Sequence, residues 1–353
     1  MITFEDLKIT TMTLVFELDH VINKGSVFHL LPITRVDTDQ HYQAQKYVIP
    51  NSSEPGSVLS IKYRNMVRGI VENNKPRFFK NTVPAKMATS VKNVSLKISP
   101  KTLQLVGAAS RQNGLEASQF MIDHILFIKK QMDLIKSNPV LYQQCVEWIE
   151  NNTQGHFVPR TIVKQQVTKH MILRVHRNTT DHLIELPVVP AHLQCDIMSF
   201  LLSLSSDQQY YGDYISKIRN IIHLEDIIDG NSLTIKRINE VMVNYNYNLG
   251  FRVNRDELNR LINGRHGLYS YYDNALVNCV TVELPYDEKL LDYKAKKLKK
   301  DITHHTFLIY KSGAVTQSGP CSNTQPGPSG KLMQHAFETL IQSVNEIKHL
   351  IML

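Results

Sequence analysis

Apolar and polar positions along the chain fall into one pattern that occurs twice. Residues 94–107, Val-Ser-Leu-Lys-Ile-Ser-Pro-Lys-Thr-Leu-Gln-Leu-Val-Gly, read as two strands around a turn at Ser99-Pro100-Lys101 that end on a glycine. Residues 304–319, His-His-Thr-Phe-Leu-Ile-Tyr-Lys-Ser-Gly-Ala-Val-Thr-Gln-Ser-Gly, repeat the design with a turn at Lys311-Ser312-Gly313. Gly313 stands where a hairpin turn calls for a residue tolerant of positive φ. At one constant offset, without a gap, Leu96 aligns with Leu308, Ile98 with Tyr310 and Gly107 with Gly319. A long helix is predicted after each copy. In 111–136, Met121, Ile125, Ile128, Met132 and Ile135 step by four and three, and in 331–353 so do Met333, Phe337, Leu340, Val344, Ile347 and Ile351. Each stripe reads as a core face. Two copies of strand–turn–strand–glycine–helix predict a duplicated domain.

The remaining segments extend the repeat. Residues 7–18 and 58–64 read as strands, 21–31 as a short helix or turn, 37–56 as a loop and 72–86 as a connection. In the second half, 233–247 and 275–284 read as strands. Residues 254–262 read as a short helix capped by Asn254, with Asp256 and Glu257 in its first turn. Residues 320–330 form a Pro-, Gly- and Ser-rich loop. Each half thus runs strand, short helix, strand, hairpin, long helix. Between them lies a segment, ending near Gly230, that holds the chain's one tryptophan, Trp148, and is expected to be a mostly helical insert with some strand. Pro139 marks its start by ending the preceding helix. The predicted organisation is repeat 1 over 1–137, insert over 138–230 and repeat 2 over 231–353, an α+β architecture.

Composition adds less. With 42% hydrophobic and 20% charged residues among 353, a packed core is expected. The net charge of +8 favours a polyanionic partner. Cys145, Cys195, Cys279 and Cys321 are scattered and signal neither a zinc site nor a disulfide framework. The basic run 294–300 reads first as a solvated face. No apolar stretch approaches transmembrane length and no signal peptide is visible. No P-loop, H-E-x-x-H, G-x-S-x-G or G-x-G-x-x-G motif occurs, and no acid/base pair of carboxylates stands out. An enzyme is not expected, and no cofactor or metal is implied.

Leu308-Ile-Tyr-Lys-Ser-Gly-Ala-Val-Thr-Gln-Ser-Gly319 resembles the hairpin signature of the TATA-box-binding protein family, an apolar-Ile-Phe-x-Ser-Gly-Lys turn running into a strand that ends Thr-Gly-Ala-Lys. Residues 96–110 resemble the first-repeat copy, and Ile235-Lys-Arg-Ile-Asn-Glu-Val241 resembles the family's Lys-Ile-Gln-Asn-Ile-Val strand. The divergence and the insert are similar to those of TATA-binding-protein-like proteins of large DNA viruses. The resemblance implies a saddle whose curved sheet lies in the minor groove, with aromatic wedges between base steps and helices facing away. An apolar, amide-bearing surface suits the A·T-versus-G·C information of that groove.

Strand alternation, applied to the resemblance, names the DNA-facing side. It implies Leu96, Ile98, Gln104 and Val106 in the first half, and Leu308, Tyr310, Thr316 and Ser318 in the second. Leu103, Leu105 and Val315 are expected to point to the helices. Asn239 matches a family residue that bonds base edges, and Val241 its apolar neighbour. The wedge positions are Ile98 and Tyr310 rather than Phe, which implies a smaller kink. The expected function is a transcription initiation factor that binds A·T-rich double-stranded DNA and recruits general transcription factors or RNA polymerase subunits. Its expected place is the nucleus, or the cytoplasmic factory or virion of a virus, with no membrane association. The alternative is a protein-interaction module that keeps the fold without DNA binding.

Overall fold

The computed structural model describes residues 3–33, 54–64, 66–69, 79, 81–152, 162–167, 170–176, 181–185, 197, 200, 201, 204, 211–273, 275, 277–285, 304–320 and 329–353. The basic run 294–300 and most of the 320–330 loop lie outside these residues. The architecture is α+β, a large antiparallel sheet with several helices.

In the first half the strands are β1 (Ile9–Leu18), β2 (Val58–Tyr63), β3 (Met66–Gly69), β4 (Val83–Met87), β5 (Val94–Ile98) and β6 (Thr102–Ala108), and the helices are α1 (Lys24–Leu30) and α2 (Arg111–Ser137). Asn23 caps α1, its Oδ1 accepting from the Ser26 N–H at 3.1 Å. Their strand order is β1-β6-β5-β4-β2-β3. Strand β4 falls in the segment expected to be a connection. Pro84 explains the miss, because proline argues against an interior strand, yet here it pairs with Lys97 between β2 and β5.

The middle segment contains α3 (Pro139–Asn152), α4 (Tyr211–Asn220) and a separate three-stranded antiparallel sheet of β7 (Ile162–Val167), β8 (His170–His176) and β9 (Asp181–Glu185). Its described residues thus include both helix and strand. The Met-Ile-Leu-Arg-Val stretch of β8 is rich in residues that favour strand.

The second half holds β10 (Ile235–Asn248), α5 (Arg255–Ile262), β11 (Tyr269–Tyr271), β12 (Cys279–Pro285), β13 (His304–Tyr310), β14 (Ala314–Pro320) and α6 (Ser329–Ile351). Asn254 caps α5 by accepting from the Glu257 N–H at 3.3 Å. The strand order is β10-β14-β13-β12-β11.

The chain divides into two compact units. One comprises Met1–Val15, Val106–Gly114 and Ile238–Leu353, and is called here the C-terminal unit. The other, the N-terminal unit, comprises Phe16–Leu105 and Leu115–Arg237. In the N-terminal unit Met121, Ile125, Ile128, Met132 and Ile135 of α2 are fully buried, as are Leu96, Ile98, Leu103 and Leu105 of the sheet. In the C-terminal unit, Leu340, Val344, Ile347 and Ile351 of α6 pack in one core with Val280, Val282, Phe307, Ile309 and Val315. Helical and strand periodicity therefore each bury one face.

Candidate nucleic-acid interface

In the C-terminal unit the open side of each strand follows from its register. Phe307, Ile309, Val315 and Gln317 are buried against α6, so the alternate residues Thr306, Leu308, Tyr310, Thr316 and Ser318 stand half-exposed on the other side. Pairing joins them into cross-strand rows. Tyr271, Thr281, Leu308, Thr316 and Asn246 form one row across five strands. Tyr269, Glu283, Thr306, Ser318 and Asn244 form the next. At about 4.8 Å per strand spacing, each row is roughly 19 Å wide.

Asn244, Asn246 and Asn248 form an amide column on β10 that family resemblance does not point to. The Asn244 Nδ2 donates to Thr11 Oγ1 at 2.8 Å, and the Asn248 Oδ1 accepts from the Gly250 N–H at 2.8 Å. Their neighbours Tyr245 and Tyr247 turn to the opposite side. Tyr247 stacks edge-on to Phe337 of α6, with ring centroids 5.2 Å apart, and Tyr245 meets Phe4 at 5.3 Å. A period-two signal was available in Val243-Asn-Tyr-Asn-Tyr-Asn248, with Asn on one side and aromatic residues on the other. The rows are polar or apolar but almost uncharged. The carboxylate among them, Glu283, lies 3.3 Å from the His304 ring.

Asn239 is half-buried and Val241 is 42% exposed. Between them the Glu240 carboxylate lies 3.7 Å from Arg111, the first residue of α2. The register that joins β10 to β14 begins at Met242, so these two residues stand outside the rows.

The first half departs from expectation. Gln104 and Val106 are half-exposed, while Leu103 and Leu105 are buried. Leu96 and Ile98, expected on the open side, are fully buried in the core. Turn length is the cause. The Ser99 N–H donates to the Thr102 carbonyl at 2.9 Å, closing a two-residue turn at Pro100-Lys101. In the other hairpin Ile309 pairs with Val315, so β13 and β14 are linked through three residues, Lys311-Ser312-Gly313. Gly313 has φ +85°, and a Cβ there would collide with the Phe251 carbonyl. One residue fewer in the first turn shifts β5 by one against the constant offset, and a one-residue slip sends every side chain to the other face. The open positions on β5 are Ser95 and Lys97.

Beneath the face, His305 is buried at 3% exposure, against Gly319 and Met333. Burial pushes its imidazole down to about 4, with His304 and His335 adding to the shift. The unfolded chain takes up this proton near 6.5, so stability is complete above that value and is lost as pH falls through 6.5 towards 4. The expected loss is about 2 kcal/mol by about pH 5. Hydrogen bonds from Thr234, Lys136 and Val21 hold Asp19, Asp226 and Asp229 below the carboxylate value of 3.8, so their effect begins at lower pH. Urea unfolding at neutral pH and near pH 5 measures the difference, and His305→Gln should remove most of it.

Among the described residues no helix is long and apolar enough to cross a membrane, and no cluster of three His, Cys, Asp or Glu side chains is placed to hold a metal ion. The chain is similar in structure to Methanococcus jannaschii TBP, with 12% identity over 96% of this chain and 98% of that one, at a TM-score of 0.35. No family model and no curated protein matches it.

Proposed function

We propose that this chain is a TATA-binding-protein-like DNA-binding factor that grips duplex DNA through its sheet and recruits transcription machinery, without catalysis. The observation that carries the reading is the nearly uncharged open face of the C-terminal unit, where Leu308, Thr316, Ser318, Asn244 and Asn246 are joined in cross-strand rows and Tyr310 lies on the same side, paired with Cys279. Apolar side chains fit the floor of a minor groove, and amides and hydroxyls meet its base-edge acceptors while excluding the guanine amino group. The family-like hairpin sequence and the matching strand orders, β1-β6-β5-β4-β2 and β10-β14-β13-β12-β11, support a duplicated saddle. Recruitment of general transcription factors or polymerase subunits would fall to the helices and the middle segment.

Fluorescence anisotropy against A·T-rich and G·C-rich duplexes tests this. Binding is expected to be tighter to the A·T-rich duplex. Asn246→Asp sets a carboxylate against base acceptors and should weaken binding by about tenfold or more, in the range of one lost bidentate contact. Asn239→Asp should weaken it as well, whereas Gln342→Glu on α6 should leave it unchanged. Binding to neither duplex would move the assignment to a protein-interaction module.

A further inference from the structure

The long helices of the two halves share a core face and differ on one flank. At the offset that aligns Gly107 with Gly319, Met121, Ile125, Ile128, Met132 and Ile135 of α2 match Met333, Phe337, Leu340, Val344 and Ile347 of α6, and all are buried. Beside that stripe, Phe127, Gln131 and Leu134 of α2 step by four and three along a second line of the helix. The same offset places Thr339, Ser343 and Glu346 there on α6.

On α6 this flank is closed by polar contacts. The Thr339 and Ser343 hydroxyls donate to the carbonyls of His335 and Thr339, each at 2.8 Å. The Glu346 carboxylate accepts from Arg265 at 3.2 Å and lies 3.0 Å from the His266 ring, in the turn after α5. On α2 the flank carries the Phe127 ring and the Leu134 side chain instead. The core of a repeat does not need them, since α6 packs its own core without either. A helix with its core face already buried and a second apolar flank requires a second apolar neighbour.

That neighbour comes from the middle segment. The Phe200 ring meets Phe127 edge-on, with centroids 6.0 Å apart and planes at 74°. Ile197, Phe200, Leu201 and Leu204 are all buried. Their spacing of i, i+3, i+4 and i+7 marks one face of a helix. Ile197, Phe200 and Leu201 are helical, and the Leu204 N–H donates to the Phe200 carbonyl at 3.3 Å. Phe127 and Phe200 belong to the same compact unit.

We propose that this flank of α2 is a helix-binding surface, which the chain fills with its own amphipathic segment around Phe200. The partner it fits is a helix with apolar residues at i, i+3, i+4 and i+7 and an aromatic ring aimed at Phe127. A segment on the same chain competes intramolecularly, so an outside helix reaches α2 only by displacing it. The two long helices are therefore unequal as docking sites. The inference stands apart from the DNA-binding reading, and its test contains no DNA.

The test is fluorescence anisotropy of a labelled peptide spanning residues 191–206 against the full chain. The wild-type chain, with its flank occupied, should bind the peptide weakly. Phe200→Glu sets a carboxylate at a buried position and expels the segment, so this chain should bind the peptide about tenfold or more tighter than wild type. Adding Phe127→Glu to it should abolish the gain. Phe200→Ala, a milder change, should show the same order with a smaller gain, and it decides the matter where circular dichroism finds Phe200→Glu unfolded. Equal binding by the wild type and the folded Phe200 variants would overturn the proposal. So would a chain carrying both Phe127→Glu and Phe200→Glu that binds as tightly as Phe200→Glu alone. An unfolded Phe200→Ala chain would overturn it as well, because Phe200 would then be part of the core rather than a displaceable ligand.

Discussion

Ile98→Ala is expected to destabilise the fold by about 2–5 kcal/mol, the range for truncating a buried aliphatic side chain. It should leave the salt slope of duplex binding untouched. Read by the constant offset between the hairpins, Ile98 is a wedge between base steps, and its loss would weaken DNA binding in a stable protein. In the structure it is fully buried beside Leu96 and Leu103, so the loss falls on stability. Lys97→Ala, one residue away and on the open side, should change stability by roughly 0.5 kcal/mol or less. Urea unfolding of the two variants separates these outcomes. A stable Ile98→Ala protein with impaired binding would restore the wedge assignment.

Where one face of an element is buried, the sequence makes that face legible. The stripes of α2 and α6, the cap Asn254 and the alternation of β13 and β14 are legible directly, because each is a local pattern. Register is a property of two strands and the turn between them. The turn that sets β5 differs from its counterpart by one residue, and no single strand records that difference. Strand β4 is masked in the sequence by Pro84, whereas some strand is expected in the middle segment and β7–β9 occur there. The asparagine column was visible as a period-two pattern. Asn239, the residue the resemblance implies, lies nearer the start of the same strand.

Phe307→Ala is expected to destabilise the fold by about 3–5 kcal/mol, whereas Leu308→Glu should leave it folded and reduce duplex affinity by on the order of tenfold or more. The residues are adjacent on β13 and face opposite ways. Phe307 is fully buried in the core formed with Val282, Ile309 and Leu340. Truncating it loses apolar burial and leaves a cavity beneath the sheet. Leu308 lies in the row between Thr281 and Thr316, where a carboxylate keeps its solvent in the free protein. On binding, that carboxylate would be desolvated against the negative potential of an A·T-rich minor groove. Urea unfolding paired with anisotropy on both variants reads the two effects independently. Equal destabilisation by both would mean that Leu308 also belongs to a buried layer.

The unequal turns also constrain which blocks of sequence the two hairpins could exchange. At the constant offset, a gene-conversion event would copy 304–310 over 92–98. Phe307 and Ile309 would then replace Ser95 and Lys97 on the open side of β5, and Leu308 and Tyr310 would enter the core at Leu96 and Ile98. The recipient strand would be inside out, with its lysine gone. Conversion across these hairpins is tolerated only when the tract carries its own turn, Lys311-Ser312-Gly313, together with both flanking strands. A folded protein therefore requires each hairpin to be exchanged as a whole block, with its turn as the feature that fixes which side of the strand faces the core.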